Sequence, residues 1–269
     1  MNPEAFGRLV KALRKEHYDE QGKVWTQAVL ADKACLSRRM IERIESGTFS
    51  HLDTTVVRKL ADALRLTAGE RYEFFLAAMD VDKLTAPPLP LYDHVESHLC
   101  ARLATMPFPG FVCDPYMHLI AANQMFVTLA NIIGPPNGDA SPRHNLIRML
   151  FEPQSTFRSL PNDEWQHVVI TSLRLFRMLS LRYRASPMFR NLLTTLRNYP
   201  DFQFCWEQTQ LTATAYHGEY NNEYNEYRYC HPVLGPLHYA TIRVGMPSTQ
   251  HTLWMVCYLP LVEGTARAF

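Results

Sequence analysis

The amino-acid sequence predicts an N-terminal all-α domain of five helices, with a helix-turn-helix inside it, followed by a C-terminal α+β domain with an antiparallel sheet. Apolar residues of the first 80 positions recur at helical spacing behind capping residues. Three prolines within Lys83–Leu91 cannot continue a helix, and the C-terminal part consists of strand-like runs separated by turn residues. We therefore expect one domain over residues 1–82, a proline-containing linker over 83–94 and a second domain over 95–269.

The first and the last two helices of the N-terminal domain follow from apolar periodicity. Phe6, Leu9, Val10 and Leu13 stand at i, i+3, i+4 and i+7, which is one face of a helix. Asp53 can cap a fourth helix, whose apolar residues are Val56, Val57, Leu60 and Leu64. The fifth helix is expected over Glu70–Met79.

The second and third helices form a compact pattern of two short helices joined by a tight turn. Thr26 and Ser37 each stand where a side chain caps a helix N-terminus, and Gly47 can end the second of the two helices. Ile41 and Ile44 are three residues apart and therefore share its buried face. Three arginines are left to point outward: Arg38, Arg39 and Arg43. This arrangement is a helix-turn-helix and predicts DNA binding.

The pattern resembles the helix-turn-helix of phage repressors, the XRE or Cro/C1 class. The matching residues are Thr26–Gln27, Leu30–Ala31, Ser37 and Ile41–Gly47, within a region of resemblance over residues 5–80. Two features depart from the class. Cys35 stands in the turn where a glycine is usual, so a positive φ is expected there, and the link Glu16–Trp25 is longer than usual.

The resemblance implies a surface that contacts double-stranded DNA. Gln27, at the start of the first motif helix, is expected to contact a phosphate, and the arginines of the second helix are expected to read base edges. The expected DNA-binding residues are Thr26, Gln27, Ser37, Arg38, Arg39, Arg43 and Thr48. One short recognition helix covers few bases, so we expect a homodimer on an inverted-repeat operator. The alternative is a protein-interaction or antitoxin-type helix-turn-helix, in which these arginines are only solvated surface.

Charge and composition narrow the class of protein further. The chain has 27 Lys and Arg against 26 Asp and Glu, and residues 1–80 have 13 against 12, so both balances are +1. This favours a site-selective DNA-binding protein over one that coats nucleic acid. No apolar run has the length of a membrane span and no signal-peptide pattern is present, so we expect a cytoplasmic protein without membrane contact. The six cysteines lack CxxC or zinc spacing, so we expect free thiols and no metal.

The second domain is expected to begin with a helix and a β-hairpin and to end in an antiparallel meander. Helices are expected near 92–105, from 123 onward, and near 145–151, 163–183 and 187–198. Strands are expected at 111–113, 118–122, 209–217, 224–230, 237–244 and 252–260. A five- to six-stranded sheet with a helical middle is PAS-like in outline.

Several spaced motifs in this region resemble the MmyB-like ligand-binding domain. They are Pro109 to Val112, Ala121–Asn123, Asn145–Phe151, Trp165, Leu173–Arg174, Phe202 with Trp206, and His231–Pro232 with Gly235–Leu237. The resemblance spans most of residues 105–260. It implies a bacterial transcription regulator whose PAS-like sensor domain can hold a fatty acid or a similar lipid, and no other cofactor.

Two elements are candidates for the ligand site. The strand Thr252–Leu259 is apolar on both faces, so it is either core on both sides or lines a cavity with one face. The helix at 163–183 has an apolar stripe, with Arg174, Arg177 and Arg184 on another side, where arginines are usually solvated. We expect a cavity between this helix and the sheet. Ala240 is expected to face it, and Arg174 could clamp a ligand carboxylate.

The expected ligand-binding residues are Asn145, Arg148, Trp165, Arg174, Phe176, Trp254 and Val256. Asn145 has an alternative role as a helix cap, and the apolar residues of the helix are core by default.

An enzyme is not expected, because the sequence has no nucleophile elbow, phosphate-binding glycine loop or dinucleotide fingerprint. The alternative sensor is a redox or haem regulator, for which Cys113–Pro115 and Cys230–Pro232 are the candidate segments. Single cysteine or histidine ligands without a second spaced ligand are usually structural.

Overall fold

The computed structural model describes residues 2–79, 93–130, 144–211, 226–247 and 252–267. These residues form two compact units. The first contains the described residues up to 79, together with 177–195 and 207–211; the second contains the rest. The expected linker lies outside the described residues, except for its last two positions, which begin a helix.

The five predicted helices of the N-terminal region are all present. They are α1 (Pro3–Arg14), α2 (Gln27–Lys33), α3 (Arg38–Glu45), α4 (Thr54–Ala63) and α5 (Ala68–Met79). The side chains of Thr26, Ser37 and Asp53 cap α2, α3 and α4 as predicted. Cys35 has a φ of 49°, which is the positive value expected for the turn. The long link after α1 is closed by an antiparallel bridge between Tyr18 and Val24.

Helices α1 and α3 pack unusually closely in the core of the first unit. A Cβ atom on Gly7 would lie 2.4 Å from the carbonyl oxygen of Ile44, so only glycine allows this approach. Ile41 and Ile44 are buried as predicted and share one core with Leu30 and Phe74. The same core includes Leu181, from the segment after residue 176.

The second unit is an α+β structure around a five-stranded sheet, which confirms the predicted fold class. The strands are β1 (Gly110–Cys113), β2 (Leu119–Ala122), β3 (Glu226–His231), β4 (Gly235–Pro247) and β5 (Thr252–Pro260). They pair antiparallel in the order β2-β1-β5-β4-β3. The other helices are α6 (Asp93–Ala104), α7 (Gln124–Ala130), α8 (Leu146–Phe151), α9 (Asn162–Ser180), α10 (Pro187–Leu196), α11 (Phe202–Leu211) and α12 (Glu263–Ala266).

One predicted strand, over 209–217, is wrong at its start. Residues 209–211 end the helix α11, and residues 212–217 lie outside the described residues. Phe202, Cys205, Trp206 and Thr209 are all buried at spacings of three, four and seven residues, which is the period of a helix and not of a strand. The other strands agree with the prediction to within a few residues wherever they are described.

The two faces of the central strand β5 have different surroundings. Leu253 belongs to an apolar cluster with Leu103 of α6 and Val112 of β1. Val256 and Tyr258 face the other way, toward a cavity. The structure thus decides the question that the two-faced apolar pattern left open, since one face is core and the other lines a cavity. In the described residues no helix is long and apolar enough to cross a membrane.

Candidate DNA-binding surface and ligand cavity

The outward face of α3 carries the predicted arginines. Arg38 and Arg39 are exposed, and Arg38 forms an i,i+4 ion pair with Glu42 at 2.9 Å. Arg43 is also exposed, and its guanidinium donates to the carbonyl oxygen of Thr48 at 3.4 Å. These side chains are accessible to a DNA groove, with Arg43 and Thr48 together at the C-terminal end of the helix.

Gln27 is held by a buried ion pair. Its amide nitrogen donates to Glu45 at 2.9 Å. The same carboxylate accepts two hydrogen bonds from Arg14, at 2.6 and 2.8 Å, and Arg14 also donates to the carbonyl oxygen of Trp25. This bidentate pair joins α1 to α3 and fixes the start of α2 beside them. The hydrogen bond to Glu45 therefore fixes the position of the Gln27 side chain, which is predicted to contact a phosphate.

A second buried charge cluster lies in the first unit. Glu70 forms an ion pair with Arg177 at 3.0 Å and accepts a hydrogen bond from Arg184 at 2.8 Å, and all three side chains are at most 1 % exposed. Arg184 also pairs with Glu16 at 2.7 Å. The expectation of a solvated face is wrong for Arg177 and Arg184, because glutamates far away in the sequence neutralise them in the interior. Burial alone would raise the pKa of Glu70, but the two guanidinium groups lower it below its ordinary value.

The cavity of the second unit lies between the sheet and helices α7, α8 and α9. It encloses about 50 Å³ and is lined by Phe111, Met117, Phe126, Leu129, Leu146, Ile147, Met149, Leu150, Phe157, Val168, Ser172, Leu175, Tyr227, Tyr239, Thr241, Val256 and Tyr258. None of these side chains carries a charge at neutral pH. The rings of Tyr227 and Tyr239 stack with centroids 5.3 Å apart, and Tyr258 meets Tyr239 edge-on at 4.7 Å. The lining is therefore apolar and aromatic, with a few hydroxyl groups.

Of the predicted ligand-binding residues, the structure brings only Val256 into the lining. Trp165 and Phe176 are buried in packing contacts, where Trp165 donates to the carbonyl oxygen of Leu150 at 3.0 Å. Trp254 shares the cavity face of β5 but packs over Gly245, whose Cβ position lies 3.4 Å from the indole ring.

The polar candidates also lie outside the lining. Asn145 caps α8, accepting from the backbone nitrogen of Arg148 at 3.1 Å, and Arg148 pairs with Glu152 at 3.3 Å. Arg174 stands roughly 160° around α9 from Ser172 and about 100° from Leu175, so it belongs to another side of the helix.

Ala240 is on the opposite face of β4, so the expectation that it faces the cavity is wrong. Its neighbours Tyr239 and Thr241 line the cavity, and successive strand residues point to opposite faces. Three tyrosines that were not predicted as ligand-binding residues line the cavity: Tyr227 of β3, Tyr239 of β4 and Tyr258 of β5. Because side chains alternate between the faces of a strand, the prediction that Val256 binds the ligand also implied that Tyr258, two residues further on, faces the ligand.

Two of the candidate residues for a redox or haem site, Cys113 and His231, are buried in structural surroundings, whereas Cys230 is exposed. Burial raises the pKa of the Cys113 thiol well above its ordinary value, which keeps it protonated. One ring nitrogen of His231 faces the carbonyl oxygen of Leu129 at 3.1 Å, and the other accepts from the backbone nitrogens of Val233 and Leu234. Among the described residues, no cluster of three His, Cys, Asp or Glu side chains could hold a metal ion.

The exposed arginines on a helix-turn-helix and the lined cavity in a separate unit define the class of protein, a transcription regulator that binds DNA and senses a ligand. Comparison with protein families matches residues 5–74 to a helix-turn-helix domain and residues 95–269 to the MmyB-like transcription regulator ligand binding domain. The second match covers more than half of the chain, so this chain belongs to the MmyB-like transcription regulators. No curated protein matches the chain.

Proposed function

We propose that the cavity binds a hydrophobic carboxylic acid, such as a fatty acid or a related lipid, and that its occupancy alters the binding of operator DNA. The observation that carries this proposal is the chemistry of the lining, in which apolar and aromatic side chains surround a few hydroxyl groups. Each buried methylene contributes about 0.8 kcal/mol, so an acyl chain supplies affinity without polar contacts along its length.

The size of the cavity predicts movement on binding. Pockets for drug-sized ligands enclose roughly 300–1,000 Å³, whereas this cavity encloses about 50 Å³. A long acyl chain therefore requires lining side chains to change rotamer. Met117 and Met149 are suited to this, because methionine is unbranched and fills irregular spaces. Such repacking would distinguish two states of the protein, one with the original lining and one with the repacked lining. DNA binding can respond to the change if the ligand binds the two states with unequal affinity.

On the DNA side, we propose that a homodimer binds an inverted repeat through α3. Arg38, Arg39 and Arg43 contact base edges, while the caps at the helix N-termini and Gln27 lie against phosphates. Support comes from the exposure of these arginines on the outward face of the helix.

The ligand proposal is tested by filling the cavity. Thr241→Phe places a ring inside the lining, and Ile242→Phe places the same ring on the opposite face of β4, where Ile242 is 47 % exposed. We expect dodecanoate to raise the melting temperature of the wild type and of Ile242→Phe but not of Thr241→Phe. Native mass spectrometry checks stoichiometry. An equal shift for all three proteins, or no shift for any fatty acid tested, contradicts the proposal.

A gel-shift titration then tests regulation. Wild-type protein stripped of lipid and the same protein loaded with dodecanoate should differ in operator affinity by about 5- to 150-fold, the range of ordinary allosteric coupling. Identical titrations would separate ligand binding from regulation and contradict the second half of the proposal.

A further inference from the structure

Among the residues that the structure describes, no charged side chain lines the cavity, so a charge that recognises an acidic head group must come from beside the lining. Strand β4 supplies one. Tyr239 and Thr241 line the cavity, and Arg243 is the next residue of the same alternating set. The alternation of side chains along β4 therefore places Arg243 two residues beyond the lining residue Thr241, on the same face of the sheet.

The register across the sheet gives the same placement independently. Arg243 pairs with Val256 of β5, and Val256 pairs with Phe111 of β1. Residues directly opposite each other in antiparallel strands have side chains on the same face. Since Val256 and Phe111 both line the cavity, Arg243 lies in a row with two lining residues.

Arg243 is partly buried next to the Tyr227 phenol. Burial lowers the pKa of its guanidinium, and the neighbouring Tyr227 phenol acts in the opposite direction. An arginine keeps its charge in proteins even so. Tyr227 itself is buried, lines the cavity and hydrogen-bonds the side chain of Ser172. The guanidinium of Arg243 is therefore near the Tyr227 phenol, which in turn contacts the Ser172 hydroxyl in the lining.

We propose that Arg243 binds the carboxylate of the ligand, with Tyr227 beside it, and that this pair makes the site selective for a hydrophobic acid over the matching alcohol. The inference rests on the proposed function, because it assigns the head-group end of the same cavity. Arg243 replaces Arg174 as the residue that binds the carboxylate, since Arg174 lies on another side of α9. Arg148 is a poorer candidate, because it lies on α8 outside the lining and its side chain is 41 % exposed.

Binding of dodecanoate and of dodecanol to the full-length protein tests the assignment by isothermal titration calorimetry. The wild type should bind dodecanoate more tightly. Arg243→Gln should weaken dodecanoate binding by about 10- to 100-fold, the range for a hydrogen bond to a charged group, and leave dodecanol binding unchanged. Arg174→Gln is the matched control and should change neither affinity.

Three results would overturn the inference in distinguishable ways. Unchanged dodecanoate affinity in Arg243→Gln removes Arg243 from the site while the proposed function stands. An equal loss for acid and alcohol makes its role structural. Failure of the wild type to bind either probe ends both proposals. The melting temperature of each variant without probe reports its folding, and if Arg243→Gln does not fold, Arg243→Lys takes its place, with an intermediate loss of dodecanoate affinity expected because lysine lacks the bidentate fork.

Discussion

The arginines of the first unit occupy two opposite environments. Arg38 and Arg39 on α3 are exposed, and Arg38 pairs with Glu42 through side chains that are 69 % and 45 % exposed. Arg177 and Arg184 are at most 1 % exposed and share the buried carboxylate of Glu70. An exposed pair contributes little to stability, whereas a buried charge left without its partner is strongly destabilising. The same residue type is therefore exposed and proposed to contact DNA in one place, and neutralised in the interior in the other.

The largest expected effect on the free energy of unfolding comes from the buried ion pairs. Glu70→Gln leaves the charges of Arg177 and Arg184 without their shared carboxylate, and we expect a loss of about 3–5 kcal/mol in the free energy of unfolding. Glu42→Gln, the matched change in the exposed pair, should cost about 0.2–1 kcal/mol. Urea denaturation of both variants measures the difference. Similar losses for the two would mean that burial does not separate these ion pairs.

The second prediction concerns pH. Burial, followed by the positive charge of Arg177, lowers the pKa of His17 from 6.5 to about 4 in the folded protein. The unfolded chain therefore binds more protons between pH 6.5 and 4, so stability must decrease as the pH falls through this window. We expect a decrease of about 1–3 kcal/mol from this group, reduced from the full shift by partial solvent exposure.

His17→Phe provides the control for this pH dependence. It keeps a ring against Trp25, where the two rings stack with centroids 4.5 Å apart, and removes the titrating group. Its stability should change less than that of the wild type over the same pH window, while the further loss from protonation of Glu70 at lower pH remains. Parallel curves for the two proteins would exclude His17 as the source.

The smallest effect on the free energy of unfolding is expected for the exposed arginines, whose substitution should have a large effect on DNA binding. Arg39→Ala should weaken operator binding by about 1–3 kcal/mol and relax the preference for one base pair, with unchanged stability. Arg8→Ala removes a similarly exposed arginine from α1, with a side chain that is 61 % exposed, and should leave base preference unchanged. Gel-shift titrations against the operator and single-base variants measure both. Full operator affinity in Arg39→Ala would contradict the assignment of α3 as the recognition helix.

The helix-turn-helix could be predicted in detail because the interactions that form it are local. The Ser37 cap reaches Met40 three residues away, and Ile41 and Ile44 share a face through the helix period. Even the positive φ of Cys35 follows from the chain reversal between two short helices. In the second unit, the strand pattern predicted most of the sheet for the same reason, because alternation is a property of neighbouring residues.

The order of the strands and the buried charge cluster depend instead on contacts between distant parts of the chain. Arg184 meets Glu16 across 168 positions and Glu70 across 114, so no local pattern marked these arginines as buried. In the sequence, β5 is apolar on both faces. Only its packing against other elements shows that one face is core and the other lines the cavity.

The sequence by itself determined the class of each domain, the caps, the helix-turn-helix and the alternation of the strands. Only the tertiary structure decided which face of each element meets which partner, and this is why it favours Arg243 over Arg174 beside the cavity. The physical reason is that periodicity fixes the directions in which side chains leave a helix or strand, while burial and charge pairing depend on what packs against them.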